Sequence, residues 1–211
     1  GSVLRGIHYF GAGAMVVLVL VHMTQVFLFG SYKFPREANW MSGSLLLLAT
    51  LAMAFTGQLL RWDQDAFWAI VVAAEQAARA PVIGGFLASL IVAGQNVGGA
   101  TLTRFYATHV FLIPAAIFGL LGVHLYLVVK RGISEPPVPG ERVDPRTYLA
   151  RYRELLRRGI PFYPDAAVRD AVVSFLAVVV VIVLAVIVGA PMLGKPPDPT
   201  IIVADPRPDW Y

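Results

Sequence analysis

The chain has 211 residues, of which 57% are hydrophobic and only 14% charged; a soluble domain carries about 25% charge, so a water-soluble globule is excluded. The net charge of +4 would suit a nucleic-acid binder, but in so apolar a chain clustered Arg and Lys record membrane topology, and no nucleic-acid partner is expected. There is no cysteine, which removes thiolate metal sites, Cys-ligated iron–sulfur clusters and thioether-bound haem from this chain and leaves His, Met, Tyr or carboxylate to hold any metal.

Four stretches are long and apolar enough to cross a bilayer as helices, which takes roughly 20 residues. In chain order they are residues 7–29, 41–60, 109–129 and 171–188. Gly1-Ser2 leads almost directly into the first run with neither a charged segment nor a cleavage site, so no signal peptide is expected. A polar turn from Gly30 through Pro35 to Glu37 separates the first two runs. After Arg61-Trp62-Asp63, residues 65–78 are helix-compatible but mixed in polarity, and Pro81 with Gly84-Gly85 ends them. This segment reads as an interfacial helix between the second and third spans. A Gly-rich stretch then leads into Thr103-Arg104 and the third span. Residues 130–169 are polar and hold nine of the 17 Lys and Arg residues, with a dense Arg segment over 148–158. The Arg cluster is a topology signal first, and a contact for anionic lipid second. The fourth span follows, and the tail beyond Pro191 is rich in Pro and Asp.

The expected architecture is therefore an all-α integral membrane protein whose four transmembrane helices form a bundle. Residues 1–131 form the three-span core, 132–170 an Arg-rich linker, and 171–211 the fourth span with the start of a further loop. The positive-inside rule places the Arg-rich linker, and with it the turn bearing Lys33 and Arg36, on the cytoplasmic side. The first and third spans then run in the same direction.

All four histidines, His8, His22, His109 and His124, lie in or at the ends of two apolar runs. Ionisable groups at membrane depth are rare, and each marks a function. His8 and His22 are 14 residues apart, and His109 and His124 are 15 apart. Both steps come near four helical turns, so each pair shares a face at separations of about 21 and 22 Å. On spans of the same direction His8 matches His109 near the outer surface, and His22 matches His124 near the inner one. Two bis-imidazole sites stacked through a bilayer suit transmembrane electron transfer on two haems. Isolated hydrogen bonding between helices would explain one such histidine but leaves the matched spacing to chance. Gly43 and Gly57 repeat the 14-residue step in the second span, where a missing side chain permits close approach of a neighbour.

Several stretches carry a family likeness: Gly1-Ser-x-Leu-Arg5-x-x-His8, Gly30-Ser-Tyr-x-x-Pro35-Arg-Glu-x-x-Trp40-x-x-Gly43, Thr56-Gly57-x-x-Leu60-x-Trp62-x-Gln64-x-x-Phe67-Trp68, Thr101-Leu-Thr-Arg104-Phe-Tyr-x-x-His109 and Pro208-Asp209-Trp210-Tyr211. Together they run through nearly the whole chain, which resembles the cytochrome b family of quinol:cytochrome c oxidoreductases and their photosynthetic plastoquinol-oxidising relatives.

The resemblance implies that His8 and His109 hold the iron of a lower-potential outer b-type haem, and His22 and His124 that of a higher-potential inner one. Arg5 and Arg104 would meet haem propionates. A quinol-oxidation pocket would draw on Trp62, Phe67, Trp68, Pro208 and Trp210, with Asp209 and Tyr211 in the catalytic motif. Asp209 stands where the family has Glu and keeps a carboxylate for a quinol proton. The implied activity is proton-translocating quinol oxidation that passes electrons to a cytochrome c or a plastocyanin-like acceptor, with quinone reduction near the cytoplasmic face. A Rieske iron–sulfur protein, a c-type cytochrome, membrane lipid, quinone and a second copy of the complex are the implied partners. The family's first helix is missing ahead of Gly1 and its later helices after Tyr211, so the chain resembles a fragment.

Arg61, Asp63 and Asp65 make the pocket loop unusually polar for the family, and Gln25 stands where many relatives carry a basic residue. The 15-residue step resembles the photosynthetic branch, whereas a fourth span in the same chain resembles the fused respiratory form. A dihaem anchor of a dehydrogenase or hydrogenase is one alternative, opposed by the Trp62–Trp68 loop and the Pro-Asp-Trp-Tyr end; a haem-free transporter with a His proton relay is another. The preference for Arg over Lys, with much Ala and Val, favours a bacterial cytoplasmic membrane over an organellar one.

Overall fold

The computed structural model describes residues 1–135, 138 and 140–202. Its regular structure is entirely helical: α1 (Ser2–Leu28), α2 (Glu37–Leu59), α3 (Gln64–Ala78), α4 (Gly84–Val92), α5 (Gly99–Ala107), α6 (Ile113–Arg131), α7 (Tyr148–Arg158) and α8 (Ala167–Ile187). A π turn over Thr108–Leu112 joins α5 to α6. Four helices are long and apolar enough to span a membrane by length and composition: Ser2–Leu28, Glu37–Leu59, Gly99–Arg131 and Phe162–Ile187. The chain is an integral multi-pass membrane protein. In hydrocarbon every backbone N–H and C=O must be paired within the segment, and helices achieve this.

These helices outrun the apolar stretches that announce them, because a helix does not stop where its side chains turn polar. The third begins at Gly99, ten residues before the third hydrophobic run would suggest. Its opening turns are polar for a local reason. Arg104 Nη1 donates to the carbonyls of Leu90 at 2.7 Å and Ser89 at 3.3 Å, and the Thr101 hydroxyl donates to that of Val92. These carbonyls lie in the last turn of α4, where acceptors lack onward helical partners, although that of Ser89 also accepts from Ala93 N at 3.0 Å. The start of α5 thus seals the end of α4, a helix whose existence the Gly-rich flanks conceal.

The chain divides into two compact units: Gly1–Gly43 with Val123–Pro191, and Ser44–Gly122 with the segment starting at Met192. In the first, α1 lies against α8; Gly6 is buried, and a Cβ there would sit 3.0 Å from the Ala185 Cβ. The turn after α1 is tied to the chain after α6. The Ser31 and Ser134 hydroxyls bond each other, Arg36 Nη1 donates to the Tyr148 hydroxyl at 3.0 Å, and that hydroxyl donates to the Arg131 carbonyl at 3.2 Å. The Lys33–Arg36 turn and the Arg-rich helix α7 therefore share one side, as the charge pattern requires. Gly30 and Gly132 close α1 and α6 with φ of 63° and 76°, left-handed positions that side-chain-bearing residues resist.

In the second unit, the core is Leu59, Ile70 and Phe105, with Leu60, Trp62, Ala69, Ile91 and Val97 packed around it. α3 and α4 form a helical pair beside it.

Candidate haem-ligand site

Helix α2 presents the same two-residue pattern twice. Ser42-Gly43 occupies its second turn and Thr56-Gly57 its last, 14 residues on. Each pair meets one histidine of the third membrane helix. A Cβ built on Gly57 would fall 2.6 Å from His109 Cε1 and 3.2 Å from each ring nitrogen. On Gly43 it would fall 3.3 Å from His124 Cε1 and 3.7 Å from Nδ1. The glycines hence make room for the imidazoles themselves, and more tightly at Gly57 than at Gly43.

The residue before each glycine bonds the same ring. The Thr56 hydroxyl lies 3.1 Å from His109 Nδ1, and the Ser42 hydroxyl 3.0 Å from His124 Nδ1. Both hydroxyls are nearly buried, at 6% and 7% exposure. The sequence reading missed Ser42 and Thr56; the signal was there, a hydroxyl preceding each glycine at the same step.

His109 is buried and sits within the π turn. A π turn holds one residue more than an α turn of the same span, and such bulges cluster at functional sites. The extra residue accounts for a 15-residue step between His109 and His124 where the other repeats take 14. His8 lies in the second turn of α1 and His22 near its C-terminal end. His22 and His124 are within electrostatic range of each other. His22 also borders an apolar groove of about 580 Å³ between α1 and α8.

Among the described residues no three His, Asp or Glu side chains gather into a cage for a bare metal ion. Axial ligation of a porphyrin iron needs only two donors, and the glycine cradles with Nδ1-bonded imidazoles fit that demand. Arg5 Nη1 donates to the Pro191 carbonyl at 2.8 Å and Arg104 Nη1 to two α4 carbonyls, each arginine using one nitrogen of a guanidinium that carries five N–H donors.

Of the expected quinol-pocket residues, Trp62 packs on the core cluster, and Phe67 is buried with its ring edge-on to Trp68 at 5.5 Å. Pro208, Asp209, Trp210 and Tyr211 lie outside the described residues. What the structure adds is a strap. Gln64 Nε2 donates to the carbonyls of Asp198 at 3.0 Å and Ile201 at 2.8 Å, and its Oε1 accepts from Asp198 N at 2.7 Å. Trp68 Nε1 donates to Ile201 O at 3.1 Å.

Asp63 explains the loop's polarity. It is 1% exposed, accepts from Ala66 N at 3.0 Å as the N-cap of α3, from Gly194 N at 3.2 Å and from Arg61 Nη2 at 2.5 Å. Burial pushes its carboxyl up, but the Ala66 N–H, the Arg61 hydrogen bond and charge, and the Gly194 N–H together outweigh it and hold the group below the usual carboxylate value.

Residues 13–196 match the model of the family described as Cytochrome b(N-terminal)/b6/petB. The menaquinol:cytochrome c reductase cytochrome b subunit of Bacillus subtilis (strain 168) is 43% identical over 137 residues, 64% of this chain and 61% of that protein. Cytochrome b6 of Heliobacterium mobile is 40% identical over 136 residues, 64% of each. A chain of a solved hyperthermophilic respiratory Complex III superposes with a TM-score of 0.78 at 25% identity, covering 99% of this chain and 54% of that one. The chain thus spans about three-fifths of the length of the curated relatives it matches. With the match running through all four membrane helices, this chain belongs to the cytochrome b N-terminal/b6 family.

Proposed function

We propose that this chain is the electron-transferring membrane core of a cytochrome bc-type complex, with two b-type haems held one above the other. The observation that carries the proposal is the duplicated cradle of α2, a hydroxyl and a glycine against an imidazole at two levels, Thr56-Gly57 with His109 and Ser42-Gly43 with His124. His8 and His109 ligate at the outer level, and His22 and His124 at the inner one. Bound haem supplies a one-electron couple at each level. Arg5 and Arg104 offer their remaining guanidinium donors to propionates. The protein sets ligand geometry, dielectric and hydrogen bonding around the iron.

In this reading quinol binds on the electropositive side near Trp62, Phe67 and Trp68, and quinone is reduced towards the cytoplasmic side. One quinol electron goes to a Rieske iron–sulfur protein and on to a c-type cytochrome or plastocyanin-like acceptor. The other enters the membrane core, with the complex translocating protons and working as a homodimer. Asp209 takes a quinol proton beside Tyr211, a role that rests on the resemblance of Pro-Asp-Trp-Tyr to the family motif. The strap formed by Gln64 and Trp68 supports this reading, since it holds the segment leading towards that motif against α3. Membership of the cytochrome b family leaves the dehydrogenase-anchor and haem-free transporter readings without support.

The test is a reduced-minus-oxidised spectrum with a pyridine haemochrome count on the full-length protein in membranes, for wild type and His22→Ala. Two b-type haems in the wild type, with the higher-potential one lost in the variant, are expected. A folded wild type without haem sinks the proposal.

A further inference from the structure

The two hydroxyls on α2 do more than fill space beside the imidazoles. A Ser or Thr hydroxyl has one proton to donate and lone pairs to accept with. The Thr56 proton points back along its own helix, its oxygen lying 2.8 Å from the Ala52 carbonyl and 3.1 Å from that of Met53. The Ser42 proton is likewise committed to the Asn39 carbonyl at 2.9 Å. Such back-bonding to the preceding turn is the common state of helical Ser and Thr. With its proton spent on a carbonyl, each hydroxyl meets the imidazole only as an acceptor, and the ring nitrogen facing it must carry hydrogen.

We infer that Thr56 and Ser42 are positioning residues that fix His109 and His124 as the Nδ1–H tautomer and so reserve each Nε2 lone pair for iron. The inference rests on the dihaem reading above and deepens it. The consequence is electronic as well as geometric. An acceptor on the distal N–H makes an imidazole a stronger donor to its metal, and loss of such a partner commonly costs 10- to 100-fold in metal affinity. A stronger imidazole donor favours ferric over ferrous iron, so each hydroxyl lowers the midpoint potential of the haem at its own level. Each tenfold change in the ferric-to-ferrous binding ratio reads as about 59 mV for one electron.

The experiment uses the full-length protein in membranes, with haem count, redox titration and low-temperature electron paramagnetic resonance of the ferric haems. Thr56→Val keeps the shape and removes the acceptor; Thr56→Ser keeps the acceptor. Thr56→Val is expected to raise the midpoint potential and move the low-field g value of the outer haem alone, and Thr56→Ser to restore both. Ser42→Ala is expected to do the same at the inner haem alone, with Ser42→Thr restoring it. Loss of one haem in Thr56→Val that Thr56→Ser repairs supports the inference in the same way. Two haems with wild-type potentials and g values in Thr56→Val and Ser42→Ala overturn it and leave the dihaem reading standing. Equal damage by Thr56→Val and Thr56→Ser overturns it as well, because packing would then be the cause. A wild type without haem removes the dihaem reading itself, and this inference with it.

Discussion

Replacing Gly57 with Ala puts a methyl group where the His109 ring now lies. The new Cβ would stand 2.6 Å from Cε1, against about 3.4 Å where ordinary contact starts, an overlap of roughly 0.8 Å on a steep repulsive wall. A flexible side chain would step aside cheaply, but His109 is 9% exposed and bound through Nδ1 to Thr56. Overpacking of this kind costs about 1–3 kcal/mol, and forfeiting the Thr56 bond adds about 1 kcal/mol. A total of about 2–4 kcal/mol is roughly 30- to 1,000-fold in the constant for occupying that level. The inner level is a built-in control. A Cβ on Gly43 would be 3.3 Å from His124 Cε1, a deficit that rotation of a few degrees absorbs. Difference spectra under redox titration, on membranes matched for folded protein, should show Gly57→Ala depleted or shifted in the outer haem alone and Gly43→Ala close to wild type. A Gly57→Ala protein with two unperturbed haems, or a Gly43→Ala protein that fares worse, would refute the reasoning.

The strap can be loosened without touching the histidines. Gln64→Ala removes three hydrogen bonds to residues 198 and 201, each worth about 0.5–1.5 kcal/mol net. Limited proteolysis should then cut residues 192–202 faster while the melting temperature moves by only a few degrees; unchanged cleavage would show that the segment is held elsewhere. Asp63→Asn keeps one oxygen for the α3 cap and loses the ion pair, at a cost of about 1–3 kcal/mol near neutral pH. Because the folded-state Asp63 carboxyl titrates below its ordinary value, its contribution is complete above about pH 4 and fades as pH falls through the lowered value. The melting-temperature gap between wild type and Asp63→Asn in detergent should accordingly narrow on acidification below about pH 4; a gap that widens there would reverse the assignment.

The membrane helices were legible because hydrocarbon imposes a length and a composition on whatever crosses it, and the four histidines stand out in the sequence because ionisable groups are rare at that depth and these share matched steps. The ends of the helices were not. The turn of α5 around Thr101 and Arg104 reads as polar connector until α4 is seen beside it, and α4 itself hides between Gly84-Gly85 and Gly94. The hydroxyls of Ser42 and Thr56 stood in plain sight, but a lone Ser or Thr in a membrane helix usually bonds its own backbone, which these two also do. Their second bond depends on which face of α2 meets the third helix. The π turn was invisible for a similar reason: one surplus residue between His109 and His124 looks like a drift in phase, and only the local widening at Thr108–Leu112 absorbs it.

Asp63 is where sequence and structure pull hardest against each other, and the outcome bears on the chemistry. A carboxylate in the loop beside Trp62 and Trp68 invites a role in taking a quinol proton. Its oxygens, however, already accept from Arg61, Ala66 and Gly194, and its carboxyl is held below the ordinary value. A proton acceptor works best with a pKa near the working pH and an accessible lone pair; Asp63 has neither. Its charge is spent on starting α3 and on anchoring the segment that begins at Met192. If quinol is oxidised by this protein as proposed above, the carboxyl of Asp63, fully engaged as it is, does not take the proton.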